Sequence, residues 1–509
     1  MKKYNTILPV IGLWILVCSC SDFLKQSAQD LVIPESIAQY KEILQGEANF
    51  GNILNNYMFI EYMTDDVEFF DEASMGTALG LGGDDSRLMT YYGSYAWADE
   101  IESSSVTDNA FQYLYKHVMV ANVCLEAIDN AEGTTVEKEI LQGQASFIRA
   151  FSYLMLANIY AKPYNEASPN DPCVPIKLNS VPSTETYGRA TVKEVWDLIL
   201  SDLDMAMKML KDKNITNLYE VNYKAALVLA TRVALYMEDW DKVIQYGESL
   251  LESGAHPLFD ISDKTKAANA ASNDVDIKNF ISRDNKEIVF LFGERQYELY
   301  YNRINGTGRA SAYFRVSSRE PGNLIGQYDY NATTIEGDRR MAYWFLPPVA
   351  SETSYPSIRY NYRVLKYDLS DGEHYAQFAL RSGEVYISLA EAYARKSSPN
   401  VSKALEYLNG LRVKRIKPYT TLVAGDFPTN EALVSFIWEE RRRELCFEEL
   451  HRWWDLRRIG RPQLVHRWRS NTYTLQKGDA AYVLNFPLFE REYNGAKLGS
   501  NPRPARAQD

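Results

Sequence analysis

Histidine is scarce in this sequence. His117, His256, His374, His451 and His466 are all there is in 509 residues, and none pairs with another at metal-ligand spacing. His-Glu-x-x-His, Gly-x-Ser-x-Gly, a phosphate loop and Cys-x-x-Cys are all absent. The metal, nucleophile, nucleotide and dithiol chemistries those motifs serve therefore lack their signature. Cysteine is nearly as sparse. Beyond Cys18 and Cys20 there are only Cys124, Cys173 and Cys446, a scattered trio that suggests no disulfide framework, although one pair stays open. Basic residues number 55 against 67 acids, a net charge of −12, which excludes nucleic acid and disfavours an anionic lipid surface as partner. After residue 20 no stretch approaches the 18 or more consecutive apolar residues of a membrane helix, so the remainder is expected to be soluble.

What is present begins at the N-terminus. Met1-Lys2-Lys3-Tyr4 is cationic, and Ile7 to Val17 is apolar apart from Pro9 and Gly12. That run has the length of a signal-peptide core and is too short for a stable span. It closes on Leu16-Val17-Cys18-Ser19-Cys20, where small Ser19 makes Cys20 the better lipid acceptor. Residues 1–19 are thus expected to be a signal peptide, and 20–30 a lipid anchor and tether. Acyl chains add about 0.8 kcal/mol of membrane affinity per buried methylene.

Residues 31–509 read as one unit of mainly α class. About 105–258 forms a scaffold of helical pairs, 259–371 a loop-rich subdomain, and 372–509 the C-terminal helices and tail. Phe111, Leu114, Val118, Ala121, Leu125 and Ile128 make one apolar stripe; Leu141, Ala145, Ile148, Ser152, Met155 and Ile159 make another. Thr191 is placed to cap a helix to Leu210. Tyr223–Met237 and Trp240–Leu251 form a pair resembling a tetratricopeptide unit, though without a regular 34-residue period. Ile288–Phe292 reads as a strand within the loop-rich stretch. Helices are expected again over Phe378–Ala394, Ser402–Arg415 and Glu431 to about Glu449, with a proline-punctuated tail from Pro487.

Several segments, in order, resemble the SusD-like (RagB/SusD) outer-membrane lipoproteins: Asp22-Phe23-Leu24 after Cys20; Phe147-Ile148-Arg149-Ala150-Phe151 with Tyr153, Leu156, Tyr160 and Pro163; Val195-Trp196 with Asp202-Leu203; Ala390-Glu391-Ala392; Glu440-Arg441-Arg442-Arg443-Glu444-Leu445; and Asp455-Leu456-Arg457-Arg458. Two places depart from the family pattern. Phe447 to Arg452 is one residue longer and lacks its glycine, and although Asn485-Phe486-Pro487-Leu488 resembles the closing strand, Tyr493-Asn494-Gly495-Ala496 does not give the expected ending. The resemblance implies a helical scaffold carrying an irregular ligand-binding subdomain. It further implies a lipid anchor facing the cell exterior and docking onto a SusC-like TonB-dependent transporter. Capture of an oligosaccharide, or sometimes a peptide, follows, with no catalysis. A glycoside hydrolase remains open in principle, because paired carboxylates are set by space rather than by sequence.

The candidate ligand residues are aromatics in segments without helical period. Tyr91, Tyr92, Tyr95 and Trp97 come first, Trp97 foremost, since flat rings suit the C–H face of a pyranose. The alternative is that Trp97 plugs the core. Tyr297, Tyr300 and Tyr301 with Arg295 and Asn302 form a second cluster, and Asp65 and Asp66 are placed to accept hydroxyl hydrogen bonds or to form an exposed acidic turn. Tyr343 and Trp344, after Asp338-Arg339-Arg340, are expected to pack. The Glu440–Glu444 run is expected to be an ion-pair network fixing the last helix to its neighbours. No cofactor is expected; Gly80 to Asp85 offers clustered carboxylates to Ca²⁺, but the plainer reading is a flexible polar loop.

Overall fold

A computed structural model describes residues 34–48, 58–69, 91–102, 108–181, 186–262, 280–292, 314–318, 320–348, 362–366, 378–468 and 470–505. Helices dominate it. In chain order the longer ones are α1 (Ile37–Ala48), α2 (Ala110–Ala127), α3 (Thr135–Tyr160), α4 (Val192–Leu210), α5 (Tyr223–Met237) and α6 (Trp240–Glu252). After the loop-rich stretch come α7 (Ser382–Arg395), α8 (Val401–Arg412), α9 (Asn430–Leu445), α10 (His451–Arg458) and α11 (Leu488–Leu498).

Local chemistry sets most of these boundaries. Thr134 and Thr191 each accept a hydrogen bond from the backbone N–H three residues on, and Glu137 and Glu194 reach back to complete capping boxes for α3 and α4. Asn222, Asp239 and Thr429 cap α5, α6 and α9 in the same sense. The turn from α5 to α6 is made by Glu238, which adopts a left-handed φ of 57°. Consecutive helices then pack in pairs, α2 on α3, α3 on α4, α5 on α6 and α7 on α8, and α6 against α7 joins the two halves. Two glycines permit close approach between neighbouring helices. A Cβ on Gly143 would lie 2.6 Å from Leu210, and one on Gly247 would lie 2.9 Å from Leu389.

Short antiparallel ladders complete the architecture: β1 (Val67–Phe69) with β3 (Phe314–Val316), β2 (Ile288–Phe292) with β4 (Phe378–Arg381), and the hairpin of β5 (Leu464–Trp468) with β6 (Asn471–Leu475). The strand expected at Ile288–Phe292 is present, and Phe290 and Phe292 meet Phe147 and Phe151 of α3 edge-on. Elsewhere the structure corrects the sequence reading. Phe378–Arg381 is strand rather than the start of a helix, because pairing with the buried β2 overrides local period. The helix beginning near Asn430 stops at Leu445 instead of Glu449. There the chain turns through left-handed φ angles at Phe447, Glu449 and Leu450, and the Lys366 ammonium donates to the carbonyls of Glu444 and Cys446. The missing glycine therefore leaves non-glycine residues in backbone space that glycine occupies at less cost. The tail after Pro487 is helical, not strand-like, in keeping with proline at a helix start.

The Glu440–Glu444 run behaves as the expected network, but most of its partners are remote and most are buried. Glu444 meets Arg381 at 2.7 Å, Arg415 at 3.0 Å and Arg340 at 3.1 Å. Glu287 bonds Arg381 and Arg415, while Glu448 bonds Arg381 and Lys366. Burial alone would raise the Glu444 carboxyl, yet three guanidinium groups hold it well below the ordinary range. These bonds fasten Glu287, Arg340 and Lys366 of the loop-rich stretch to the C-terminal helices. Tyr343 and Trp344 pack as expected, both buried. Cys124, Cys173 and Cys446 are unpaired and buried.

Candidate functional site

The segment 91–97 is the leading place to look for ligand rings, and its foremost candidates, Trp97 and Tyr95, are sealed. Trp97 is 0% exposed and its indole N–H donates to the Met63 carbonyl at 3.0 Å. The His466 ring of β5 lies parallel to Trp97 on one side and to Tyr95 on the other, with centroids 4.1 Å away in each case. Tyr95 is 2% exposed and its hydroxyl accepts from the Phe69 N–H. Trp97 and Tyr95 therefore have no open face for a sugar: they tie the 58–69 segment to the hairpin as a core plug. Burial pushes the His466 imidazole down to about 4, against contacts from its two ring nitrogens to the carbonyls of Tyr95 and Thr64. Tyr91 and Tyr92 are half-buried. Tyr91 stacks on Tyr62 at 4.2 Å, and the Tyr92 hydroxyl meets that of Tyr473 at 2.6 Å.

The two aspartates are not an exposed acidic turn. Arg452 binds both oxygens of Asp65, at 2.6 and 2.7 Å, and Arg442 donates to Asp66 at 2.7 Å. Burial would raise the Asp65 carboxyl, but Arg442 and Arg452 outweigh it and hold it well below the usual range. Burial, with Asp66 and Asp65 beside it, lifts neighbouring Glu61 well above. Asp66 is fully buried and has no access to a ligand; Asp65 keeps an exposed edge. Arg295, Tyr297, Tyr300, Tyr301 and Asn302 lie outside the described residues, as do Cys20 and the Gly80–Asp85 stretch.

That edge of Asp65 opens into a cleft of about 720 Å³. Strand β5 forms one wall and α9 the other, through Trp438, Glu439 and Arg442, while Glu320, Gln327 and Gln463 border it. Trp438 is half-buried, with its indole N–H donated to Glu391 at 2.9 Å. Glu439 and Ser435 are exposed, and Gln327 turns a buried side-chain oxygen that accepts no hydrogen bond. Carboxylates, amides and a hydroxyl around one partly exposed indole are the inventory that binds a polyhydroxyl ligand: hydrogen bonds at the rim, an apolar ring beneath. Of the residues proposed from sequence, the cleft gathers Asp65 and a buried flank of Tyr95. Trp438, Glu439, Glu320 and Gln463 were missed. The available signal was Trp438, an aromatic at the margin between the apolar stripe Leu433, Val434 and Ile437 and the polar face of α9. Among the described residues, no group of three or more His, Cys, Asp or Glu side chains is arranged to hold a metal ion, and no helix is long and apolar enough to cross a membrane.

Paired helices, short antiparallel ladders and a polar-rimmed cleft between β5 and α9 make a mainly helical fold of one class. One family model, described as starch-binding associating with outer membrane, matches residues 35–235, and a second, the SusD family, matches residues 329–499. The chain belongs to the SusD-like family. No curated protein matches the sequence. Among solved structures, a SusD superfamily protein from Bacteroides thetaiotaomicron is 18% identical with a TM-score of 0.68, covering 92% of this chain and 100% of its own. One from Bacteroides fragilis is 22% identical with a TM-score of 0.67, covering 91% and 99%. A SusD-like carbohydrate binding protein from Bacteroides vulgatus is 20% identical with a TM-score of 0.65, covering 91% and 97%. At such identities these likenesses speak to the fold.

Proposed function

We propose that this protein is a non-catalytic, outer-membrane-associated receptor that binds an oligosaccharide in the cleft between β5 and α9. The observation that carries the reading is the cleft itself. Its volume of about 720 Å³ falls within the range of small-ligand sites, and its rim offers hydrogen-bonding groups around the half-buried Trp438. The family's starch-binding description and the carbohydrate-binding relative support a saccharide as occupant. Lipidation at Cys20 holds the protein at the cell exterior, and a SusC-like TonB-dependent transporter receives the ligand. Asp65 is a poor general acid, because two arginines keep it ionised, which favours binding over hydrolysis.

The test is a panel of oligosaccharides and peptides titrated against the mature protein in calorimetry, with product analysis alongside. Saccharide binding without turnover is expected. Peptide binding alone, or turnover lost on replacing one carboxylate, would overturn the reading. Fractionation of cells carrying Cys20→Ala is expected to release the protein from the membrane, and retention would remove the anchor.

A further inference from the structure

Arginine is buried repeatedly in this molecule, and its usual partner is a carboxylate. Arg232, Arg340, Arg381, Arg415, Arg441 and Arg458 are each paired with Glu or Asp. Arg457 of α10 is different. It is 1% exposed, it donates only to the backbone carbonyl of Ala161, and it forms no ion pair with any described carboxylate. Its Nε and Nη1 atoms are buried without an acceptor. A guanidinium carries five donors and keeps its charge, so leaving it uncompensated in the interior is expensive.

The neighbouring groups make the deficit larger. Trp453 lies one turn earlier on the same face of α10, the direction in which a helical side chain leans. It is 0% exposed, its ring stacks on Tyr482 at 4.9 Å, and its indole N–H has no acceptor. Arg461, just beyond the helix, spends one end on Glu166 and the carbonyls of Gly478 and Asp479, but its Nε is likewise buried and unmet. The Tyr236 hydroxyl of α5 is a further buried donor without an acceptor. Arg457 lies within electrostatic reach of Arg461, of the Glu166 carboxylate that Arg461 holds, and of Tyr236; burial and the like charge of Arg461 pull its guanidinium down to about 9 against Glu166, so it remains a cation at neutral pH. Several donor atoms, on two cationic side chains, an indole and a phenol, are thus buried without an acceptor, and the carboxylate nearest to them, Glu166, is taken up by Arg461.

We propose that Arg457, Arg461 and Trp453 form a buried site for a small monovalent anion, occupied by chloride in ordinary salt. A single spherical acceptor between two guanidinium groups would satisfy several orphaned donors together and cancel their mutual repulsion. Arg461 is partly exposed, which gives the ion a route in. The site lies behind α10, among groups that do not line the ligand cleft, so its occupancy supports the fold independently of what the cleft binds.

Bromide tests this directly, because it substitutes for chloride and scatters anomalously. Crystals of the mature protein grown in sodium bromide are expected to show an anomalous peak within hydrogen-bond reach of the Arg457 and Arg461 guanidinium groups. No peak there, with water density in its place, would overturn the assignment. In solution, replacing chloride by gluconate at constant ionic strength is expected to lower the melting midpoint of the natural protein by a few degrees. Trp453→Phe keeps the stack on Tyr482 and removes one donor, so it should show a smaller chloride response. An Arg457→Met protein should show none. An unchanged response in both variants would contradict the proposal, and the bromide map decides even if Arg457→Met does not fold.

Discussion

Two aromatic regions flank the cleft and differ in how much of each ring is covered. On one side Tyr95, His466 and Trp97 stack face to face with every ring covered; on the other Trp438 leaves part of its indole to the cleft, among exposed Glu439 and Ser435. Both regions supply the rings that a saccharide receptor needs, so residue type does not distinguish them. Exposure does. A ring whose two faces are occupied stabilises the fold, while a ring at the edge of a polar rim has a face left for a ligand. The same contrast holds for charge. Around Glu444 each cation has its anion in direct contact, whereas Arg461 holds Glu166 and Arg457 bonds no described carboxylate.

That contrast breaks most sharply at the charge network. Glu444→Ala would remove the carboxylate that three buried guanidinium groups share, leaving Arg381 and Arg415 to Glu287 and Arg340 to Asp338, and about 5 kcal/mol of stability is expected to be lost in denaturant titration, the upper range for removing one member of a buried ion pair. A loss under 1 kcal/mol would show that water reaches the network. Trp97→Ala comes next. Emptying a fully buried indole site should cost about 4 kcal/mol, while the fraction that remains folded keeps its ligand affinity. A folded Trp97→Ala protein with weakened binding would return Trp97 to the site.

An effect no larger than that of Trp97→Ala comes from Asp108, a buried acid that accepts a hydrogen bond from Tyr160. Burial raises its carboxyl to about 7, with the Tyr160 and Ala110 hydrogen bonds opposing. The sign follows from proton binding. Unfolded, the group ionises near 4; folded, it holds its proton to about 7. Stability is therefore lost as pH rises from about 4 to about 7. Asp108→Asn removes that loss, and the variant should be more stable than the natural protein at pH 7.5 by up to about 4 kcal/mol, at about 1.4 kcal/mol for each unit of pKa, but alike at pH 4. Equal stability at both values would mean that Asp108 is ionised in the fold.

The helices α2 to α9 were legible because capping and period are local, whereas α1 and α10 were not read from the sequence. Thr191 with Glu194, Asn222 before Tyr223 and the stripe through Leu141 and Ile159 each declare a helix without help from afar. The strand at 378–381 and the helix after Pro487 were not, since each depends on partners distant in sequence, β4 on the buried β2 and α11 on contacts such as Arg491 with Glu100; the hairpin at 464–475 pairs locally but was not read either. The site was harder still. The cleft draws Asp65, Glu320, Trp438 and Gln463 from four separate segments, and nothing in their spacing announces that they meet. Tyr95 and Trp97, conspicuous in the sequence, are consumed by a histidine some 370 residues away.

The account stands on the claim that Trp438, and not the 95–97 plug, presents a ring to the ligand. Calorimetry with one bound oligosaccharide on Trp438→Ala and Tyr95→Phe, both checked for folding, tests it most directly. At least a tenfold loss of affinity, about 1.4 kcal/mol, is predicted for Trp438→Ala, with Tyr95→Phe unchanged. Full affinity in Trp438→Ala beside a loss in Tyr95→Phe would contradict it.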